Sequence, residues 1–188
     1  GCPLSDFLCT QAAKGGHLEV LKWARSQGCS WCPRTTLKAA RYGHLEVLKW
    51  AFSQGCPLSE FLCTQAAKGG HLEVLKWARS QGCPWDADTC AYSAERGHLE
   101  LLKWALSNGC PWDERMYCAN SSDEGHLELL KWYIESGYPR HKQICSFAAR
   151  KGHLETLKWA IKNECAYDRE ELRYVTNYPR IRDYLDGL

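Results

Sequence analysis

One nine-residue sequence, which occurs six times, constrains this chain more than any other feature. GHLEVLKWA begins at positions 16, 43 and 70, and near-copies begin at positions 97, 125 and 152. Successive motif histidines are 27 residues apart, with one step of 28, and a period between about 20 and 50 residues is typical of a repeat solenoid. A catalytic site needs a single constellation of residues. Six copies therefore predict architecture, and we expect no enzyme activity.

Each repeat is predicted to form two helices. In the fourth copy, HLELLKWALSNG, leucines recur at helical spacing and predict an amphipathic helix, which we call the motif helix. Gly109 then provides a residue that adopts positive φ, and Pro111 blocks continuation. The segment before each motif, such as DADTCAYSAER, predicts a shorter helix that opens the repeat, which we call the first helix. Asp86 and Asp113 are predicted N-caps of first helices.

The segment TCAYSAERGHLELLKWALSNGC resembles the helical part of an ankyrin repeat, whose pattern is TPLHLAA, then GHLEVVKLLLE, then AGAD. The likeness extends from about Gly1 to Cys165, and short GHLEVLKWA and GCPWD arrays of this kind occur in protist and large-DNA-virus ankyrin repeat proteins. The resemblance implies an all-α, ankyrin-like helix-turn-helix solenoid. Because the period is 27 residues, where ankyrin repeats have about 33, the inter-repeat loops must be shortened, with no or minimal β-hairpins.

The resemblance also implies a function. Ankyrin arrays are non-catalytic scaffolds that bind a protein partner along the concave face formed by their first helices. An intracellular protein is implied, in the cytoplasm or, for a viral chain, in the host cytoplasm. We expect no cofactor and no small-molecule substrate, and we expect a monomer. The net charge of +2 argues against a nucleic acid partner, and no apolar run approaches the about 20 residues that span a membrane.

We expect residues 1–188 to form a single repeat array. The predicted repeats are 1–27, 28–54, 55–81, 82–108, 109–136 and 137–163. Residues 164–188 are predicted to be a degenerate C-terminal cap, because Glu164 replaces a repeated glycine and charged residues interrupt the apolar stripe. Residues 1–27 and 55–81 differ only at Asp6 and Glu60, which indicates duplication of a two-repeat block.

Histidine, cysteine and tryptophan also recur with the repeat. We expect each motif histidine to bond backbone carbonyls of the preceding turn, and no metal site, because equivalent histidines about 10 Å apart cannot share one zinc ion. The twelve cysteines are predicted to be free and buried. The alternative is a cysteine-based metal-binding or redox-responsive module, in which a disulfide would join unlike positions such as Cys83 and Cys90. The motif tryptophans are expected to pack between repeats.

Positions that hold a repeat together recur, whereas positions that recognise a partner are free to vary. The residues ten, six and three before each motif histidine vary, and they share one face of the first helix, which we call the first-helix face. It comprises Phe7, Gln11, Lys14; Arg34, Lys38, Arg41; Phe61, Gln65, Lys68; Asp88, Tyr92, Glu95; Met116, Asn120, Asp123; and Gln143, Phe147, Arg150. Ankyrin arrays bind along this face, so these are the predicted partner-binding residues. Phe7 and Phe61 have an alternative role, which is to cover the shortened loop.

Overall fold

Short helices joined by tight loops make up the part of the chain that the computed structural model describes, residues 6–112 and 126–188, and this part contains no strand. The helices are α1 (Asp6–Lys14), α2 (Leu18–Ser26), α3 (Pro33–Arg41), α4 (Leu45–Ser53), α5 (Leu62–Gly69), α6 (Leu72–Ser80), α7 (Ala87–Glu95), α8 (Leu99–Ser107), α9 (Leu127–Glu135), α10 (Gln143–Lys151), α11 (Leu154–Lys162), α12 (Arg169–Val175) and α13 (Pro179–Asp186). The predicted all-α fold of paired helices is confirmed.

The chain divides into two units. The first comprises residues 1–93 and 100–112, and the second comprises residues 94–99 and 113–188. In the first unit, the first helices α1, α3 and α5 lie side by side, and each packs against its own motif helix, α2, α4 or α6. In the second unit, α10 packs against both α11 and α12.

The first helix is not shorter than the motif helix, so that prediction is wrong. Helices α1 and α2 both have nine residues. Both stop for the same reason, because a glycine with positive φ follows each of them, Gly16 at 73° and Gly28 at 86°.

The cysteines of the recurrent GC dipeptide complete the ends of four motif helices, α2, α4, α6 and α8. After α2, the Gly28 amide donates to the Arg25 carbonyl and the Cys29 amide donates to the Ala24 carbonyl, which is the Schellman arrangement. This motif favours an apolar residue directly after the glycine, in contact with the last helical turn. Cys29 and Ala24 are both fully buried. The thiol column therefore has a packing role at the helix end.

The motif histidine joins neighbouring repeats through its side chain. His44 Nε2 lies 2.9 Å from the carbonyl oxygen of Lys14, and His71 Nε2 lies 3.1 Å from that of Arg41. The predicted bond to a backbone carbonyl is present for both histidines, but its predicted place in the preceding turn is wrong, because the carbonyl belongs to the first helix of the previous repeat. In the second unit, His126 Nε2 meets the carbonyl oxygen of Glu95 in the same way, at 2.8 Å.

A glycine makes room for each of these imidazole rings. A Cβ atom at Gly16 would lie 2.6 Å from His44 Nδ1, and one at Gly43 would lie 2.5 Å from His71 Nδ1. Real Cβ atoms do not approach so closely. These glycines are therefore required twice, once for their positive φ and once for the ring of the next repeat.

Tryptophans contact aromatic rings both within a repeat and across a repeat junction. Within the repeat 28–54, the Trp31 ring meets the Trp50 ring edge-on with centroids 5.9 Å apart, and its Nε1 donates to the Gln54 carbonyl at 2.9 Å. Two repeats later Trp85 meets Trp104 in the same way, at 5.8 Å. Between these two repeats, Phe52 meets Trp77 of the following repeat at 5.7 Å, and this contact is the one that crosses a junction as predicted. This alternation matches the duplicated two-repeat block.

The C-terminal segment is a helix pair, α12 and α13. Asp168 caps α12 by accepting hydrogen bonds from the Glu170 and Glu171 amides at 2.9 and 3.1 Å. Tyr178 takes the place of a motif histidine, since its ring would meet a Cβ atom at Gly152 at 2.7 Å. Glu164 keeps the glycine conformation with φ of 61°, which is unfavourable for a residue with a Cβ.

The substitution Gly43→Ala tests the histidine contact, with Gly55→Ala as its matched control. Both glycines have φ near 80°, but a Cβ at Gly55 meets nothing within 4 Å. We expect Gly55→Ala to lower the free energy of unfolding by about 1 kcal/mol from backbone strain alone. Gly43→Ala should cost about 1–3 kcal/mol more, because the His71 ring must shift. Equal losses in denaturant unfolding would show that the ring is not held by this contact.

The His71 imidazole also makes a prediction about pH. Burial lowers its pKa below the ordinary value of 6.5, the nearby His44 lowers it further, and the Arg41 carbonyl opposes both. The unfolded chain therefore takes up a proton on this side chain at a higher pH than the folded protein does. The stability that neutral His71 contributes should be complete above pH 6.5 and should fall as the pH drops toward its lowered folded pKa.

The variant His71→Gln isolates this contribution, because glutamine does not titrate and its amide can still donate to a carbonyl. We expect the difference in free energy of unfolding between the wild-type protein and the variant to shift in favour of the variant as the pH falls from 7.5 to 5. A difference that stays constant across this range would contradict the prediction.

Candidate functional site

The first-helix face of the first unit is a grid of side chains on three adjacent helices. Helices α1 and α3 each contribute one residue to each of three rows, and α5 contributes two, with Phe61 directly before α5 as the third. The row nearest the inter-repeat loops contains Phe7, Arg34 and Phe61, the middle row contains Gln11, Lys38 and Gln65, and the row nearest the motif histidines contains Lys14, Arg41 and Lys68.

Every predicted binding residue in the described ranges is accessible. Phe7 and Phe61 are 67% and 54% exposed, although both are large and apolar. Seven of these residues are half-buried, and the other eight are exposed, namely Phe7, Gln11, Lys14, Arg34, Phe61, Asp88, Gln143 and Arg150. The other predicted positions, Met116, Asn120 and Asp123, lie outside the described residues, as does Asp113. Phe61 also lines a cleft of about 200 Å³ with the loop residues Pro84, Trp85 and Asp86, so its position fits both of its predicted roles.

Neighbouring helices contact one another across this face. Arg41 Nη1 donates to Gln65 Oε1 at 3.3 Å. The Lys68 ammonium lies 3.5 Å from the centroid of the Tyr92 ring on α7, which is a cation–π contact. These contacts hold the long side chains of α3 and α5 over the surface.

The sequence did not predict two residues of this surface. Tyr42 is 42% exposed, and the Lys14 ammonium lies 5.4 Å from its ring centroid. Leu37 lines a cleft of about 310 Å³ with Arg34, Lys38 and Gln65. Tyr42 carried a usable signal, because the equivalent positions in the neighbouring repeats hold Gly15 and Gly69. Leu37 carried none, since a leucine in a helix is expected in the core.

The cations of the first-helix face differ from those of the motif helices in their pairing. Each motif lysine in the first unit bonds the glutamate three residues before it, at distances between 2.6 and 3.3 Å. Among the described residues, no carboxylate pairs with Lys14, Arg34, Lys38, Arg41 or Lys68. The motif lysines are therefore largely neutralised, whereas the first-helix face carries a positive field.

In the second unit the predicted residues lie on α10 and at the end of α7. Gln143 and Arg150 are exposed, and the Arg150 guanidinium lies 4.4 Å from the Phe147 ring centroid. Ser146, on the same helix, donates to Glu171 Oε1 at 3.1 Å. Glu95 is half-buried, and its carboxylate lies 3.5 Å from Arg96 Nε.

The described cysteines lie mainly in the core. Nine of them are buried and only Cys32 is half-buried. Burial raises the pKa of Cys63 and of Cys145 to about 12, so both are neutral thiols. Thr36 fills a cysteine position and donates to the Pro33 carbonyl at 3.0 Å. Packing at this position therefore does not require a thiol.

Neither Cys83 nor Cys90, the two cysteines named for an alternative disulfide, is disulfide-bonded. The neighbour of Cys63 is Cys83 of the next repeat, whose carbonyl accepts from the Cys63 thiol at 3.8 Å. A hydrogen bond between Cys90 and Cys110 raises the pKa of Cys90. Cys83 and Cys90 thus each contact a cysteine of a neighbouring repeat. In residues 6–112 and 126–188, no three histidine, cysteine or carboxylate side chains are grouped to hold a metal ion.

Comparison with known proteins relates this fold to a solved one. No protein-family model and no curated protein sequence matches the chain. Its structure is similar to the crystal structure of the human ASB11 ankyrin repeat domain, with a TM-score of 0.74 and 16% sequence identity, over 95% of this chain and 96% of that chain.

The chain has the ankyrin repeat fold. The predicted resemblance is thus confirmed at the level of the fold. The predicted departure is confirmed as well, because the described loops between ankyrin repeats contain no β-hairpin. Across residues 6–112 and 126–188, every helix falls short of the length and apolar character that a membrane crossing requires.

Differences in burial predict how the thiols react. Among the described cysteines of the folded protein, we expect N-ethylmaleimide to modify Cys32 first, because it is the one that is half-buried. Peptide mapping by mass spectrometry over time measures the order, and unfolded protein shows that every thiol is reactive once exposed. A Cys32→Ser variant should lose the fast phase. If Cys63 reacts as quickly as Cys32 in the folded protein, the assigned burial is wrong.

Proposed function

We propose that this ankyrin repeat protein is a non-catalytic scaffold that binds a protein partner through its first-helix face. The observation that carries the proposal is the contrast between two surfaces of one unit. Motif-helix lysines repeat and are paired with glutamates. First-helix residues vary from repeat to repeat, are accessible, and present cations and exposed aromatic rings together.

The residue types support this placement. Arginine and aromatic side chains are the commonest energetic centres of protein interfaces. The first-helix face of the first unit holds Arg34, Arg41, Tyr92, Phe7 and Phe61. An exposed large apolar ring is costly to leave in water unless another surface covers it. The two phenylalanines therefore favour a partner that buries them.

The folded state does not depend strongly on these side chains. Arg34 makes no hydrogen bond or ion pair with any described residue, and Arg41 makes one side-chain bond, to Gln65. Substitutions there should remove binding contacts and leave the repeat intact. This separation between binding and stability makes the proposal testable by mutation.

The test begins with a pull-down that uses the array as bait, followed by titration of the captured protein. We expect Arg34→Ala, Arg41→Ala and Tyr92→Ala each to weaken binding by about 2 kcal/mol, which is about 30-fold in Kd. Phe147→Ala tests the second unit separately. Circular dichroism melting of each variant confirms that it is folded.

Matched controls come from the motif helices of the same unit. Lys49→Ala and Glu73→Ala each break one exposed ion pair, Lys49 with Glu46 and Glu73 with Lys76. Such pairs contribute little to stability, and binding should change little. If these controls abolish binding while the first-helix variants retain it, the site has been placed on the wrong surface.

A further inference from the structure

Three cations of the first unit form a row across three consecutive repeats. Lys14, Arg41 and Lys68 occupy the same position in α1, α3 and α5, three residues before the motif histidine. Arg34 and Lys38 lie on the middle helix beside this row and add to its positive field. In the neighbouring row, Gln11 and Gln65 are uncharged. The row therefore presents positive charge at regular intervals.

The repeat junction fixes the interval. The carbonyl of Lys14 meets the ring of His44, and the carbonyl of Arg41 meets the ring of His71, so the backbone at each of these two cations is tied to the next repeat. Adjacent packed helices lie about 8–10 Å apart. The cations consequently recur about every 9 Å along a line that crosses the three helices.

The side chains are held up but not neutralised. The Lys14 and Lys68 ammonium groups lie over the rings of Tyr42 and Tyr92, and Arg41 bonds the neutral Gln65. Contacts with aromatic rings and amides orient a cation without cancelling its charge. No carboxylate in the described residues pairs with any of the three. A partner must supply the negative charges.

An extended peptide matches this interval. A polyproline II segment rises about 3.1 Å per residue and has three residues per turn, so every third side chain lies on the same side at steps of about 9 Å. We propose that the row formed by Lys14, Arg41 and Lys68 binds an extended acidic segment of a protein partner, with a carboxylate at every third residue. This inference rests on the proposed function and specifies the chemistry of its partner.

The spacing favours such a peptide over a nucleic acid. One strand of a nucleic acid carries a phosphate about every 3.4 Å of helix axis, so most of its charges would face gaps between the cations. The net charge of the whole chain is only +2, which gives little long-range attraction for a polyanion. A strand of RNA is nevertheless included in the test, because exposed phenylalanines beside cations could stack on bases.

The test uses synthetic peptides and the whole chain. The first peptide is fluorescein-labelled and repeats Glu-Pro-Pro three times, and the second has the same composition with its three glutamates adjacent. Fluorescence anisotropy at low salt measures each Kd. We expect the spaced peptide to bind at least about fivefold more tightly, and its affinity to fall as salt is added, because exposed charges are screened. Equal affinities would overturn the proposal.

Two triple variants locate the binding. The first variant, K14Q/R41Q/K68Q, removes the row. The second, K22Q/K49Q/K76Q, removes the same number of positive charges from the motif helices of the same three repeats. We expect the first to weaken binding of the spaced peptide by about tenfold or more, and the second by less than about twofold, since exposed ion pairs contribute modestly each. Equal losses would mean that net charge, rather than the row, attracts the peptide.

Two further outcomes are decisive. If a single-stranded oligouridine binds more tightly than the spaced peptide, and loses affinity in K14Q/R41Q/K68Q, the row serves nucleic acid and the proposal is overturned. If neither peptide binds, but a captured protein partner still depends on Arg34 and Tyr92, the acidic-segment proposal fails while the proposed function stands. Melting temperatures of both triple variants establish that each remains folded.

Discussion

Three of the described repeat junctions, those at His44, His71 and His126, depend on one imidazole ring placed between a carbonyl oxygen and a glycine. His44 reaches the Lys14 carbonyl across the junction, and its ring occupies space that a side chain at Gly16 would fill. The same histidine directly follows the glycine that ends α3 and directly precedes α4. One residue therefore fixes both the turn within a repeat and its contact with the previous repeat. Tyr178 against Gly152 shows that another flat ring can occupy the corresponding position.

This constraint explains which parts of a repeat are free to vary. The histidine bonds a backbone carbonyl of the first helix, so it places no requirement on the side chain at that position. Lysine and arginine both occur there, as Lys14 and Arg41. By contrast, the small residues that face the motif helix, such as Ala39 and Ala40, are fully buried. The fold is thus held from one side of the first helix, and the opposite side is available for recognition.

Local chemistry made much of the fold predictable. Leucine spacing, glycines with positive φ and prolines in loops act within a few residues, and they correctly indicated paired helices. The absence of hairpins followed instead from the 27-residue period, set against the longer repeat of the ankyrin family that the chain resembles. Asp86 was correctly predicted as an N-cap, and it accepts from the Thr89 amide at 3.3 Å. The contacts that could not be predicted are those between stacked repeats. The partner of His44 lies 30 residues earlier in the chain, and the contact of Cys63 with Cys83 spans 20 residues. No local pattern specifies either contact.

In the candidate site too, charge pairs within one helix could be predicted from the sequence, whereas contacts between helices could not. The pairing of Lys49 with Glu46 follows from their spacing on one helix, so the sequence alone indicates that the outer charges cancel. Whether Lys14, Arg41 and Lys68 are neutralised depends on side chains from neighbouring helices, and only the assembled repeats show that tyrosine rings and an amide surround them. A net charge of +2 therefore conceals a segregated surface. Because the repeat fixes the interval between these cations, the architecture itself, rather than any single residue, sets which partner charges can meet them.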